Sequence, residues 1–297
     1  MSDRSCPRPA RRPVIPFACF VAISVACSRG GTTDPASPGT SPTPEAVVEA
    51  QMIDVGGFRL ALRCAGEGEP ALIFEGGHAD ARRSADYSVV QAEMVAQNLT
   101  RVCWYDRAGL GESDDRPERE ISPDVVAEEL RVLLAEAGIA RPYVLAGGSF
   151  GGLFVRVYQA TFPNDIAGLM FIDAVEEDMD YVDFGEAKIR EGHTAISVRE
   201  ITSMVRAAEP LRDLPVVVIV ADASTVEPDW MGGQRRLAAL SSNTVAFVAT
   251  NTTHGVTDEA PELVSEAARQ LLEAARSGEH LPPCGTDLEE LGARCLG

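Results

Sequence analysis

One serine stands among glycines in VLAGGSFGG, residues 144–152, where an apolar strand runs into Gly147, Gly148, Ser149, Phe150, Gly151 and Gly152 before the chain resumes as LFVRVYQA. Spacing removes two phosphate-binding readings. A dinucleotide loop needs glycines in G-x-G-x-x-G order, but counting from Gly147 puts Ser149 in the third slot. A P-loop needs a lysine after its last glycine, and the chain's only lysine is Lys188. What fits is G-x-S-x-G over residues 147–151, a strand-to-helix turn so tight that the serine is strained and its hydroxyl is presented at the top of a sheet. The chemistry would be nucleophilic attack; the plainer alternative is a glycine-rich turn whose serine caps the following helix.

A serine hydroxyl attacks at neutral pH only when a base within hydrogen-bond reach takes its proton. The chain offers four histidines. His78 follows the Gly76-Gly77 turn, His193 falls in a stretch without strand pattern, and His280 lies in a cysteine-bearing tail. His254 alone follows a terminal apolar strand and precedes the last helix, in TVAFVATNTTHGVTDEAPELV. It is the expected base.

These residues need elements to carry them. MIDVGGFRLALRC reads as a hairpin turning at Gly56 and Gly57. ALIFE (71–75), RVCWYD (101–106), PYVLAGG (142–148), GLMFID (168–173), LPVVVIVAD (214–222) and TVAFVAT (244–250) are short apolar runs. Helical patterns separate them: residues 84–98, the well-punctuated SPDVVAEELRVLLAEAG (122–138), and a segment ending near Ala160. Strands buried on both faces and spaced by helices predict a mostly parallel sheet with helices on both sides, binding its ligand at the strands' carboxyl ends. Ser149, the Gly76-Gly77 loop, Asp106, Asp173, Asp222 and His254 all stand at or just past such ends. Between Asp173 and Leu214 about 40 residues show no strand pattern and are partly amphipathic, which predicts a small helical lid over 174–213. A peripheral helical excursion is the alternative.

Taken together, FEGGH (74–78), YDRAGLGESD (105–114), GGSFGG (147–152) and the NTTHG turn (251–255) resemble the α/β-hydrolase superfamily, in the group typified by serine esterases, lipases and prolyl-iminopeptidase-like enzymes. The resemblance covers roughly residues 50–277. It implies an α/β fold with a mostly parallel eight-stranded sheet, the chain order Ser, acid, His, and an oxyanion hole built from the backbone N–H groups of Phe150 and Gly77. YDRAGLGESD resembles the family's D-x-R-G-x-G-x-S turn, a structural signature. Glu75 stands where many relatives have the histidine of a His-Gly pair, and either it or His78 is available to line the pocket. The acid stays open. In most relatives it follows the seventh strand at a slot that here holds Ser224, with Asp222 two residues early; some members place it after the sixth strand, where GLMFIDAVEED puts Asp173, followed by Glu176, Glu177 and Asp178. Asp173 is favoured and Asp222 is the alternative.

The implied reaction is hydrolysis of a carboxylic ester or related acyl bond in a small-molecule substrate, through an acyl-enzyme, with no cofactor and no metal. Amide or peptide-end hydrolysis by the same fold comes second. The rival from another class is a catalytically silent, envelope-tethered binding protein.

The flanks speak to compartment. Arg4, Arg8, Arg11 and Arg12 precede PVIPFACFVAISVA, an apolar run too short to span a bilayer that ends in small residues before Cys27. Residues 1–26 therefore read as an export signal. ISVAC resembles a bacterial lipoprotein signal, with Ser24 where a Leu-like residue usually stands, so Cys27 is the expected lipidation site. Residues 27–45, rich in Gly, Ser, Thr and Pro, read as a tether; residues 46–280 form one domain, and 281–297 a tail. Cys64, Cys103, Cys284 and Cys295 then remain as an even set in an exported chain. Cys284 and Cys295 are close enough to pair, leaving Cys64 for Cys103; a zinc site would want C-x-x-C spacing or an adjacent histidine, and neither occurs. The formal charge of −19, more negative by three without the signal, repels phosphate backbones and anionic lipids. Nucleic-acid partners are thereby excluded, and the expected location is the cell envelope, with a lipid on Cys27 as the sole membrane attachment, or the exterior.

Overall fold

A computed structural model describes residues 48–78, 86–179 and 188–296. The expected signal, tether and Cys27 lie outside these residues. In chain order the described elements are β1 (Gln51–Asp54), β2 (Arg59–Ala65), β3 (Leu72–Glu75), α1 (Ser88–Ala96), β4 (Val102–Tyr105), β5 (Glu120–Ile121), α2 (Pro123–Glu136), β6 (Tyr143–Gly148), α3 (Gly151–Thr161), β7 (Ile166–Ile172), β8 (Lys188–Glu191), β9 (Thr194–Ser197), α4 (Val198–Arg206), β10 (Val216–Ala221), α5 (Pro228–Ala238), β11 (Thr244–Ala249), α6 (Val256–Glu259), α7 (Pro261–Ser277), α8 (Thr286–Glu290) and β12 (Ala293–Cys295).

The apolar runs become strands whose alternate residues serve two separate cores. On one face of β6 and β10, Leu145, Val216, Val218 and Val220 join Leu130 and Leu133 of α2 and Leu153 and Val157 of α3. On the other, Val144, Ala146, Val217 and Ile219 meet Val90 and Met94 of α1 and Leu263, Leu271 and Leu272 of α7. Side chains alternate across a strand, so only a run that is apolar at every position can feed both layers. The sheet order is β1-β2-β4-β3-β6-β7-β10-β11-β12. Its centre, from β4 to β11, is parallel, while β1, β2 and β12 join antiparallel.

Two expectations need correcting. The sheet has nine strands rather than eight, because the tail supplies β12, which pairs Phe247 with Cys295, Val248 with Arg294 and Ala249 with Ala293. The described part of the insertion is not purely helical: β8 and β9 form an antiparallel hairpin that joins β5 in a small second sheet, and α4 follows. The reason is visible in KIRE, where Ile189 and Glu191 are buried while Lys188 and Arg190 are exposed, and in Gly192, whose φ of 57° suits a tight turn. Cys64 and Cys103, directly opposed on β2 and β4, form one disulfide, and Cys284 and Cys295 form the other. Among the described residues no helix is long and apolar enough to cross a membrane.

Candidate active site

Between β6 and α3 the chain reverses within two residues. Ser149 takes φ 52°, left-handed backbone that a non-glycine residue rarely adopts, and its N–H donates to Ile172 O at 3.2 Å. Its own carbonyl accepts from Gly152 N and Val175 N, locking the turn against the end of β7. The neighbouring glycines are steric necessities: a Cβ on Gly147 would lie 2.6 Å from Gly151 O, and one on Gly151 would lie 2.3 Å from Glu75 O. With no side chains between them, β3, β6 and α3 close up and leave the serine at the sheet's carboxyl edge.

Directly after β7, Asp173 also has positive φ, 43°, and is fully buried. Its carboxylate accepts four hydrogen bonds. Oδ1 takes Trp230 Nε1 at 2.8 Å and Ala221 N at 3.1 Å; Oδ2 takes Ser224 Oγ at 2.7 Å and pairs with His254 Nδ1 at 2.6 Å. A buried carboxylate facing Nδ1 favours the tautomer with its proton there, leaving the Nε2 lone pair available as a base. The same hydrogen bond raises the His254 pKa above the ordinary 6.5, with burial opposing and the charge of Asp173 adding to the rise. The ring itself is 53% exposed.

The other acids considered for this role point elsewhere. Asp222 accepts from Asn251 N at 3.2 Å and stands 3.6 Å from Arg294; Glu176 pairs with Arg236, Glu177 with Arg156 and Asp178 with Arg206. Ser224, in the slot where an acid follows the seventh strand in most relatives, instead donates to Asp173. His193 lies 3.8 Å from Asp115, beside the hairpin turn.

Ser149 and His254 line a single cavity of about 360 Å³ with Val175, Ala223, Ser224, Glu227 and Trp230. The loop after β3 passes against the serine: a Cβ built on Gly77 would lie 2.9 Å from Ser149 Cβ and 3.5 Å from its Oγ. Among the described residues, neither Gly77 N–H nor Phe150 N–H donates to a backbone carbonyl. Backbone N–H groups without a carbonyl partner are the kind of donor that can serve an oxygen bearing developing negative charge. Among the described residues no group of three His, Cys, Asp or Glu could hold a metal ion.

Glu75 does not line this cavity; it turns inward. It is 2% exposed, accepts from Tyr105 Oη at 2.5 Å and pairs with Arg107, whose Nε also reaches Glu191 at 2.5 Å. Burial pushes the Glu75 pKa up, and Arg107 opposes that rise. His78 remains exposed, its ring 6.2 Å from that of Phe150. Arg107 was not anticipated as part of the site. The available signal was Glu75 itself, an acid at a buried strand end that demands a cationic partner.

A family model described as the alpha/beta hydrolase fold matches residues 70–192. The chain is 34% identical over 113 residues to an uncharacterized vacuolar membrane protein of Saccharomyces cerevisiae, a match spanning 37% of this chain and 17% of that protein. It is 30% identical over 112 residues to an AB hydrolase superfamily protein of Gibberella zeae, spanning 37% of this chain and 34% of that one. The matches thus span well under two thirds of the length of either relative. A thermophilic esterase from Thermogutta terrifontis superposes with a TM-score of 0.56 at 19% identity, over 77% of this chain and 99% of that structure.

Proposed function

We propose that this chain, which has the α/β-hydrolase fold, is a serine hydrolase that cleaves a carboxylic ester or related acyl bond. The observation that carries the reading is the bond between a fully buried Asp173 and His254 at the mouth of a cavity that Ser149 also lines. In this reading His254 Nε2 takes the Ser149 proton as Oγ bonds to the acyl carbon, and the carbonyl oxygen gathers negative charge against the N–H groups of Phe150 and Gly77. The tetrahedral intermediate collapses, the leaving alcohol departs with the proton from the imidazolium, and water repeats the sequence to release the acid. Asp173 keeps the ring oriented and stabilises its charged form. The cavity lining, with Val175, Ala223 and Trp230 beside the polar groups, supports an acyl substrate of modest size.

Export is part of the same proposal. It is supported by the basic residues and apolar run before Cys27 and by the two disulfides, which persist in oxidising compartments. Lipidation at Cys27 is the attachment we infer.

A fluorophosphonate probe tests the hydrolytic reading. The intact protein is expected to label, Ser149→Ala to lose the label, and His254→Ala to lose several orders of magnitude in p-nitrophenyl ester turnover. An intact, folded protein that takes no label would favour a binding role for the fold.

A further inference from the structure

Arg107 belongs to the turn after β4, yet its guanidinium reaches the loop after β3. Nη1 donates to Gly76 O at 2.6 Å and Nη2 to Gly77 O at 2.9 Å. The first of these contacts matters most, because Gly76 C=O and Gly77 N–H belong to one peptide unit. In a planar trans peptide the two groups point in opposite directions, so a clamp on the oxygen fixes where the N–H is aimed. A full positive charge at the carbonyl end also draws electron density through the amide and strengthens the N–H as a donor.

The clamp is itself held rigidly. Arg107 is 3% exposed and lies 4.5 Å over the Phe154 ring of α3, with Glu75 and Glu191 as its anionic partners. Glu191 is the last residue of β8, so the insertion contributes directly to this arrangement, and its second oxygen takes Arg116 Nη1 at 3.2 Å. Arg116 in turn pairs with Glu129 of α2 through both Nε and Nη2. A guanidinium suits this place because its planar fork serves two carbonyls and two carboxylates at once, which an ammonium cannot do.

We propose that Arg107 is a positioning residue for the oxyanion donor, orienting and polarising the Gly76-Gly77 peptide, with Glu191 tying that grip to the β8-β9 hairpin. The inference rests on the serine-hydrolase reading above. Arg107 touches no reacting atom; it acts through Gly77 N–H.

The test is steady-state turnover of p-nitrophenyl acetate together with the fluorophosphonate labelling rate. Arg107→Lys keeps the positive charge but gives up the fork. It is expected to lower kcat roughly 100-fold, slow labelling in parallel, leave KM within about two-fold, and leave the pH midpoint in place because the Asp173-His254 pair is untouched. Should Arg107→Lys fail to hold the fold, the double variant Arg107→Gln/Glu75→Gln, which removes the cation together with one buried carboxylate and leaves Glu191 paired with Arg116, is compared with Glu75→Gln, and the same loss of kcat is expected. A folded variant whose kcat stays within about three-fold of its reference, or one that raises KM alone, would overturn the proposal while leaving the hydrolase reading intact. Absence of labelling in the unmodified protein would overturn both.

Discussion

A carboxylate that accepts four hydrogen bonds has one orientation available to it, and at Asp173 that orientation presents Oδ2 to His254. Two donors share that oxygen, Ser224 Oγ and His254 Nδ1. Removing the hydroxyl concentrates charge on the imidazole side. Ser224→Ala should therefore raise the already elevated His254 pKa further. The proposed base works as the neutral ring, so the acid limb of the kcat/KM profile should move to higher pH in the variant, and a shift to lower pH would sink the argument. The stability that the pair contributes has the same sign: it is fully present below the ordinary histidine value of 6.5 and fades as pH rises through the raised one. Ser149 and His254 were legible from sequence because a glycine-flanked serine and a histidine after the last apolar run are local patterns. The acid was less so. Asp173, Glu176, Glu177 and Asp178 crowd one strand end, and what separates them is where Ala221, Trp230 and His254 arrive from other elements.

Elements that read well in the sequence are those whose apolar character runs without a break. β6, β7, β10 and β11 carry such runs, and each lies within or across its expected span. The insertion and the tail were harder, since β8, β9 and β12 have four, four and three residues: β8 and β9 pair as a local hairpin, but β9 also joins β5 and β12 joins β11, both far along the chain. Among the described residues β12 pairs only with β11, and it is tied to the segment before α8 by Cys284-Cys295. Closing a loop of that length restricts the unfolded chain by about 2–3 kcal/mol. Cys284→Ser/Cys295→Ser is therefore expected to lower the urea midpoint by a corresponding amount while p-nitrophenyl ester turnover in native buffer persists. An unchanged midpoint would mean that β12 holds its place without the bridge.

At the scale of the whole molecule the charge is −19, and the cavity adds Glu227 to its lining. Esters with a quaternary ammonium group in the acyl chain should be turned over with higher kcat/KM than carboxylated esters of equal size. The ratio should be several-fold at low ionic strength and shrink toward unity near about 0.5 M salt. A ratio that ignores salt would assign the preference to pocket shape. The half-exposed imidazole has one more implication. With bulk solvent beside the proposed base, an acyl group on Ser149 would meet water, the most abundant acceptor, long before it met a scarce alcohol or amine, so the proposed mechanism would break acyl bonds rather than pass them on.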